Sequence, residues 1–161
     1  MLDVFYTLDG VPEQSRLSLL CEAKEIAKNM KGRPTNAVFE VDLVDRLYEQ
    51  ARLRVALTGD PAISSLNISI SDEFMISGNI VAQETGIDTK PYAAKVVEAA
   101  YTKAAGYVGH DEYLQIGYLE FVYEHLRFGA RIAQETGVDT TPYAVKIVEA
   151  AYKKAAEYTD V

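Results

Sequence analysis

Apolar and polar side chains follow each other along most of this chain with the three- and four-residue spacing of amphipathic helices. The clearest segment runs from about Asp111 to Thr136. One side of it carries charges at that spacing, namely Glu120, Glu124, Arg127, Arg131 and Glu135. The other side is mostly apolar or aromatic and holds Tyr118, Phe121, Val122, His125, Phe128, Gly129 and Ile132. The pattern predicts a helix with one face on a core.

A thirty-residue stretch occurs twice. Gly78–Tyr107 and Gly129–Tyr158 are identical at 21 of 30 aligned positions, at an offset of 51 residues. Self-similarity at a fixed offset indicates a duplicated structural unit. Any residue of one copy can therefore be compared with the residue 51 positions away in the other.

Both copies contain the letters Q-E-T-G followed by D-T-x-P-Y. Gly86 and Gly137 can adopt the left-handed conformation that ends a helix. Asp88 or Thr89 can cap the next helix, as can Asp139 or Thr140 in the second copy. Pro91 and Pro142 fall in the first turn of that helix, where a missing N–H costs little. The motif predicts a helix, a tight turn and a second, antiparallel helix.

The second helix of each unit is unusually apolar. Its polar residues form one narrow stripe, which in the later copy consists of Lys146, Glu149, Lys153 and Glu157. Such a helix needs neighbours on several sides. In Pro142–Tyr158 we expect Ala151, Tyr152 and Ala155 to contact either the N-terminal hairpin or a second subunit, and a homodimer is favoured because extended apolar faces are rarely exposed on monomers.

Two further segments are predicted to be helical. The letters L-N-I-S-I-S, residues 66–71, alternate like a strand, but the duplication implies a helix there. Near the N-terminus, Pro12–Met30 has the pattern of a helix, and V-D-L-V-D-R-L-Y resembles K-V-V-E-A-A-Y, with Tyr48 in the place of Tyr101. A divergent third unit is thus predicted, while residues 1–11 have no clear pattern.

The sequence therefore predicts a single all-α domain, 1–161, of about six helices arranged as three antiparallel hairpins. The hairpins span 12–59, 60–109 and 110–161, and they form a compact bundle or a short helical-repeat stack.

Composition restricts the class of protein. An apolar fraction of 48% is typical of a globular domain. The net charge of −8 disfavours nucleic acid as a partner, because phosphate binding depends on Lys and Arg. No apolar run reaches the roughly 18 residues of a membrane span. Cys21 is the only cysteine, and the first residues lack the pattern of a secretion signal, so a soluble, cytoplasmic protein is expected.

The sequence offers few candidates for chemistry. His125 lies on an apolar helix face, where an imidazole can act as acid, base or ligand. Its counterpart is Phe74, however, and an aromatic exchange favours a structural role. His110 lies beside two acids, but no spacing typical of a metal-binding histidine pair occurs, and the usual nucleotide, hydrolase and redox motifs are absent. No metal or cofactor is predicted.

Two functions remain open. The leading hypothesis is a non-enzymatic module for protein–protein interaction, which associates with itself or with another protein. The alternative is a small-molecule-binding or catalytic protein with a site between the duplicated hairpins. The candidates for that site are His125, Tyr92, Tyr143, Glu98 and Glu149.

Overall fold

A computed structural model describes residues 37–57, 64–109 and 118–159. They form five helices, which are α1 (Ala37–Ala56), α2 (Ser64–Thr85), α3 (Lys90–Val108), α4 (Tyr118–Thr136) and α5 (Thr141–Thr159). No strand occurs in these ranges, so the predicted all-α class is confirmed for them. The predicted helix Pro12–Met30, Cys21 and His110 lie outside the described residues.

The tight turns between α2 and α3 and between α4 and α5 have the predicted geometry. Gly86 and Gly137 adopt positive φ angles of 74° and 79°. The carboxylate of Asp88 accepts a hydrogen bond of 3.0 Å from the Lys90 N–H, and Asp139 accepts one of 3.0 Å from Thr141. These bonds satisfy backbone donors that the first turn of a helix leaves without a partner. The prediction that glycine ends one helix and proline begins the next is confirmed.

Helix α2 contains residues 66–71, so the alternating letters L-N-I-S-I-S are helical, as the duplication implied. Helix α4 buries the predicted face, with Val122, His125, Phe128 and Ile132 inside. Arg127 and Arg131 on the opposite face are exposed. The three- and four-residue spacing therefore identified the core side of α4 correctly.

Helix α3 lies at the centre of a compact bundle. Among the described helices, the most extensive contacts join α1 to α2 and α3 to α4, while α1 and α5 lie on either side of α3. Helices α2 and α4 touch over a smaller area. The core of the bundle is filled by large side chains with less than 2% exposure, including Leu43, Leu47, Phe74, Val97 and Ile132.

The predicted pairing of helices within hairpins is wrong. Helices joined by the tight turns, α2 with α3 and α4 with α5, are not extensively in contact. The apolar face of α2 is instead occupied by the preceding helix α1, and the buried Ser71 hydroxyl donates a 2.7 Å hydrogen bond to the Ala51 carbonyl. Helix α3 packs on α4 instead. Each closely packed pair, α1 with α2 and α3 with α4, is therefore joined by one of the longer connections.

Two glycines allow these close contacts. A Cβ atom on Gly78 would lie 2.8 Å from Cε2 of Tyr48, and one on Gly129 would lie 2.8 Å from Cε2 of Tyr101. Carbon atoms prefer a separation of about 3.5–4.0 Å. Glycine thus permits an aromatic ring of α1 or α3 to lie directly against the neighbouring helix.

Candidate functional site

A groove of about 660 Å³ runs along the boundary between α1 and α3. Its lining residues are Arg52 and Ala56 from α1 and Lys95, Glu98, Ala99, Thr102, Lys103, Gly106 and Tyr107 from α3. The space exists partly because small residues, Ala56, Ala99 and Gly106, stand where larger side chains would fill it. Groups able to bind a polar ligand lie beside an apolar wall, an arrangement common in small-molecule sites.

The ammonium group of Lys103 has two contacts at the groove. Its Nζ donates a 2.7 Å hydrogen bond to the carbonyl of Leu57, just beyond the end of α1. It also lies 5.5 Å from the ring centroid of Tyr107. Burial lowers the pKa of Lys103. A cation at this point is favoured by the carbonyl groups that end α1, so its position has a structural explanation.

Two other charged residues of the groove, Arg52 and Glu98, also have partners. Arg52 Nε donates a 2.9 Å hydrogen bond to Glu49, and this interaction lowers the pKa of the Glu49 carboxyl. Across the boundary with α5, Lys146 Nζ lies 3.7 Å from an oxygen of Glu98. Both of those side chains are about half exposed, so their attraction is weak. The lining of the groove thus carries three basic side chains, Arg52, Lys95 and Lys103, and one acidic side chain, Glu98.

His125 lies behind Tyr107, with ring centroids 5.4 Å apart and 1% of its surface exposed. Its Nδ1 is 2.7 Å from the carbonyl oxygen of Phe121. A carbonyl only accepts, so Nδ1 carries the hydrogen. Burial is the main cause that lowers the pKa of His125, and the imidazole is neutral at neutral pH. It occupies the position of a buried aromatic ring, as Phe74 does at 1% exposure.

The remaining predicted site residues are spread over the bundle. Tyr92 contacts Tyr48 and Tyr143 contacts Tyr101, with ring centroids 6.1 Å and 6.3 Å apart. Glu98 lines the groove, whereas Glu149 is exposed on α5. The five candidates do not line one cavity.

Of the groove residues only Glu98 was among the candidates, and the polar or aromatic ones that were missed include Arg52, Lys103 and Tyr107. A signal for Lys103 existed in the sequence. It recurs 51 residues later as Lys154, which is buried, whereas Lys103 is half-buried. A lysine retained at a buried position indicates a specific acceptor for its ammonium group.

The second candidate surface is the outer face of α5, defined here by Val145, Val148, Ala151, Tyr152 and Ala155. The two valines are 47% and 52% exposed and Tyr152 is 76% exposed. Both alanines are exposed as well. Of the predicted N-terminal hairpin only α1 lies among the described residues, and it packs on α2 and α3, so the alternative that this hairpin covers the α5 face stays a prediction.

Corresponding positions on the other helices are buried. Tyr48 on α1 and Tyr101 on α3 are 3% and 7% exposed, against 76% for Tyr152 on α5. Val97 is fully buried, whereas Val148, 51 residues later, is 52% exposed. The same residue types thus face a helix on α3 and solvent on α5.

Other kinds of site find less support in the described part of the chain. Within 37–57, 64–109 and 118–159, no three His, Cys, Asp or Glu side chains lie close enough together to hold a metal ion. None of the helices seen there is sufficiently long and apolar to cross a bilayer. No protein-family model, curated protein or solved structure matches the sequence.

Proposed function

We propose that this protein is a non-enzymatic helical-repeat module for protein–protein interaction, which self-associates through the outer face of α5. The observation that carries the proposal is the exposure of Tyr152, at 76%, where Tyr48 and Tyr101 are buried. Tyrosine is enriched at protein interfaces because its ring is apolar and its hydroxyl tolerates water. A contiguous apolar face of this kind commonly marks a binding surface.

A tandem-repeat organisation is part of the proposal. The sequence duplication supports it, and so does the recurrence of one contact, in which Gly78 lies against Tyr48 and Gly129 against Tyr101, and a Cβ atom added to either glycine would lie 2.8 Å from the ring. The recurrence of this contact supports a repeat that includes α1. Proteins built from such units present extended surfaces to partners.

Small residues on the α5 face favour the pairing of two copies around a twofold axis. Alanines at the crossing point allow the two backbones to approach closely.

Light scattering during size-exclusion chromatography at micromolar concentration tests self-association. We expect the mass of a dimer, and we expect Ala151→Glu to give a monomer because it places a charge at the centre of the apolar face. Ala130→Glu is the matched control, since Ala130 is an exposed alanine on α4. A monomeric native protein, or a dimer that Ala151→Glu leaves intact, contradicts the proposed dimer.

The groove between α1 and α3 favours the alternative function of small-molecule binding. Its volume of about 660 Å³ is in the range of ligand sites. Native mass spectrometry of protein purified from its source would detect an adduct, and Gly106→Leu would remove it by filling the groove. Native protein without an adduct contradicts this alternative.

A cytoplasmic location stays a prediction from the single Cys21.

A further inference from the structure

The internal contacts of the bundle indicate what covers the residues that correspond to the α5 face. On α3, Tyr101 and Ala100 pack against Gly129 of α4. A Cβ atom on Gly129 would lie 2.8 Å from the Tyr101 ring and 3.3 Å from Cβ of Ala100. On α1, Tyr48 and Leu47 receive Gly78 of α2, with corresponding distances of 2.8 Å and 3.4 Å. In both cases the cover is a helix that presents glycine to a tyrosine ring.

The two covering helices share more than the glycine. Four residues before it lies a buried aromatic ring, Phe74 in α2 and His125 in α4. Three residues after it lies a β-branched residue, followed directly by alanine. These residues, Val81, Ala82, Ile132 and Ala133, are at most 6% exposed. The shared pattern is aromatic, x, x, x, Gly, x, x, Val or Ile, Ala.

Helix α5 has the receiving residues, and none of the described helices covers them. Ala151 and Tyr152 stand at the positions of Ala100 and Tyr101, and Val148 stands at the position of Val97. All three are exposed. We infer that the outer face of α5 is a receptor for a glycine-bearing amphipathic helix of a partner protein, with the residue pattern shared by α2 and α4. This rests on the proposed use of that face for protein binding.

Glycine is what gives this receptor its selectivity. A residue larger than glycine at the crossing point would clash with the tyrosine ring. In the internal contacts, a Cβ atom on Gly78 or Gly129 would lie only 2.8 Å from the ring. The partner helix is thereby distinguished from other amphipathic helices, which carry leucine or another large side chain at the centre of the apolar face. Because the dimer uses the same face, such a helix competes with self-association.

The test uses the full chain and a synthetic peptide with the sequence of α4, residues 118–137, labelled for fluorescence anisotropy. We expect saturable binding, at least tenfold weaker binding of a peptide with Gly129→Leu, and at least tenfold weaker binding to protein with Ala151→Glu. Protein with Ala130→Glu serves as the control, and circular dichroism checks that each variant is folded.

Each result separates this inference from the proposed dimer. Binding that depends on Ala151 supports the receptor even when light scattering finds a monomer. Binding that Ala151→Glu leaves unchanged means that the peptide exchanges with α4 in its internal position, and it overturns the inference. An Ala151-dependent dimer that the peptide neither binds nor dissociates also overturns it and leaves self-association standing. Equal binding of the glycine and leucine peptides overturns the stated residue pattern.

Discussion

Replacement of Gly129 by alanine tests the close contact between α3 and α4. Alanine stabilises a helix interior by about 1 kcal/mol relative to glycine. The new Cβ would lie 2.8 Å from Cε2 of Tyr101, a ring that is 7% exposed and held on its other side by Tyr143. Forcing extra carbon into a filled core costs about 1–3 kcal/mol. We therefore expect Gly129→Ala to lower the free energy of unfolding by up to about 2 kcal/mol.

The chain supplies a matched control in Gly106→Ala. Gly106 is also helical, and a Cβ there would meet nothing within 4 Å. The same substitution should raise the free energy of unfolding by about 0.5–1 kcal/mol. Because the gain in helix propensity is common to both variants, their difference isolates the cost of the contact, about 1–3 kcal/mol.

Urea unfolding followed by circular dichroism measures both variants against the native protein. Gly78→Ala should behave like Gly129→Ala, since its Cβ would lie 2.8 Å from Tyr48. If Gly129→Ala stabilises the protein as much as Gly106→Ala does, the Tyr101 ring moves away at no cost. The requirement for glycine at this crossing would then be refuted, both inside the bundle and at the α5 face.

The remaining predictions concern His125. His125→Phe should leave stability at neutral pH unchanged or higher, because Phe74 fills the corresponding place, and loss of a bound ligand in that variant would favour the small-molecule alternative. Burial lowers the pKa of His125 in the folded state. At pH values between that lowered pKa and about 6.5, His125 is therefore protonated in the unfolded chain and neutral in the folded one. The native protein should therefore lose stability as pH falls through this interval, by at most about 1.4 kcal/mol per pH unit, and His125→Phe should reduce the slope. Lys103 lowers and Glu124 raises the pKa of His125, so these two effects oppose each other. Equal slopes in the two proteins would show that folding does not lower the pKa of His125.

Sequence patterns predicted the individual helices because their signals are local. A left-handed glycine, a capping aspartate and a first-turn proline fix the junction of two helices within six residues, as at Gly86–Pro91. The duplication also resolved residues 66–71, where local alternation alone favoured a strand. Burial of Ile132 and Val122 followed directly from the helical period.

Helix pairing could not be predicted by the same reasoning. A short turn suggests that the helices on either side of it lie together, yet α2 and α3 are not close partners. The deciding feature is the fit between Gly78 and Tyr48, which are thirty positions apart in the sequence. In the sequence Gly78 resembled an ordinary small residue in a helix, because nothing near it shows that a ring lies above it. The groove was missed for the same reason, since Arg52 and Lys103 meet only after α1 and α3 are placed side by side.

The offset between the duplicated sequence unit and the helix pairs explains why α5 is the exposed helix. Each duplicated unit contains a glycine-bearing helix (α2 or α4) followed by a tyrosine-bearing one (α3 or α5). The close pairs, however, form between the tyrosine-bearing helix of one unit and the glycine-bearing helix of the next, as between α3 and α4. In the proposed stack, a tyrosine-bearing helix is covered only when another glycine-bearing helix follows it in space. A helix adapted to end the stack would carry polar residues on its outer face. Helix α5 instead keeps Val148, Ala151 and Tyr152, identical to the buried Val97, Ala100 and Tyr101 of α3. Its outer face therefore has the residues that the proposed stack would place inside, and this is the physical reason to expect another helix upon it.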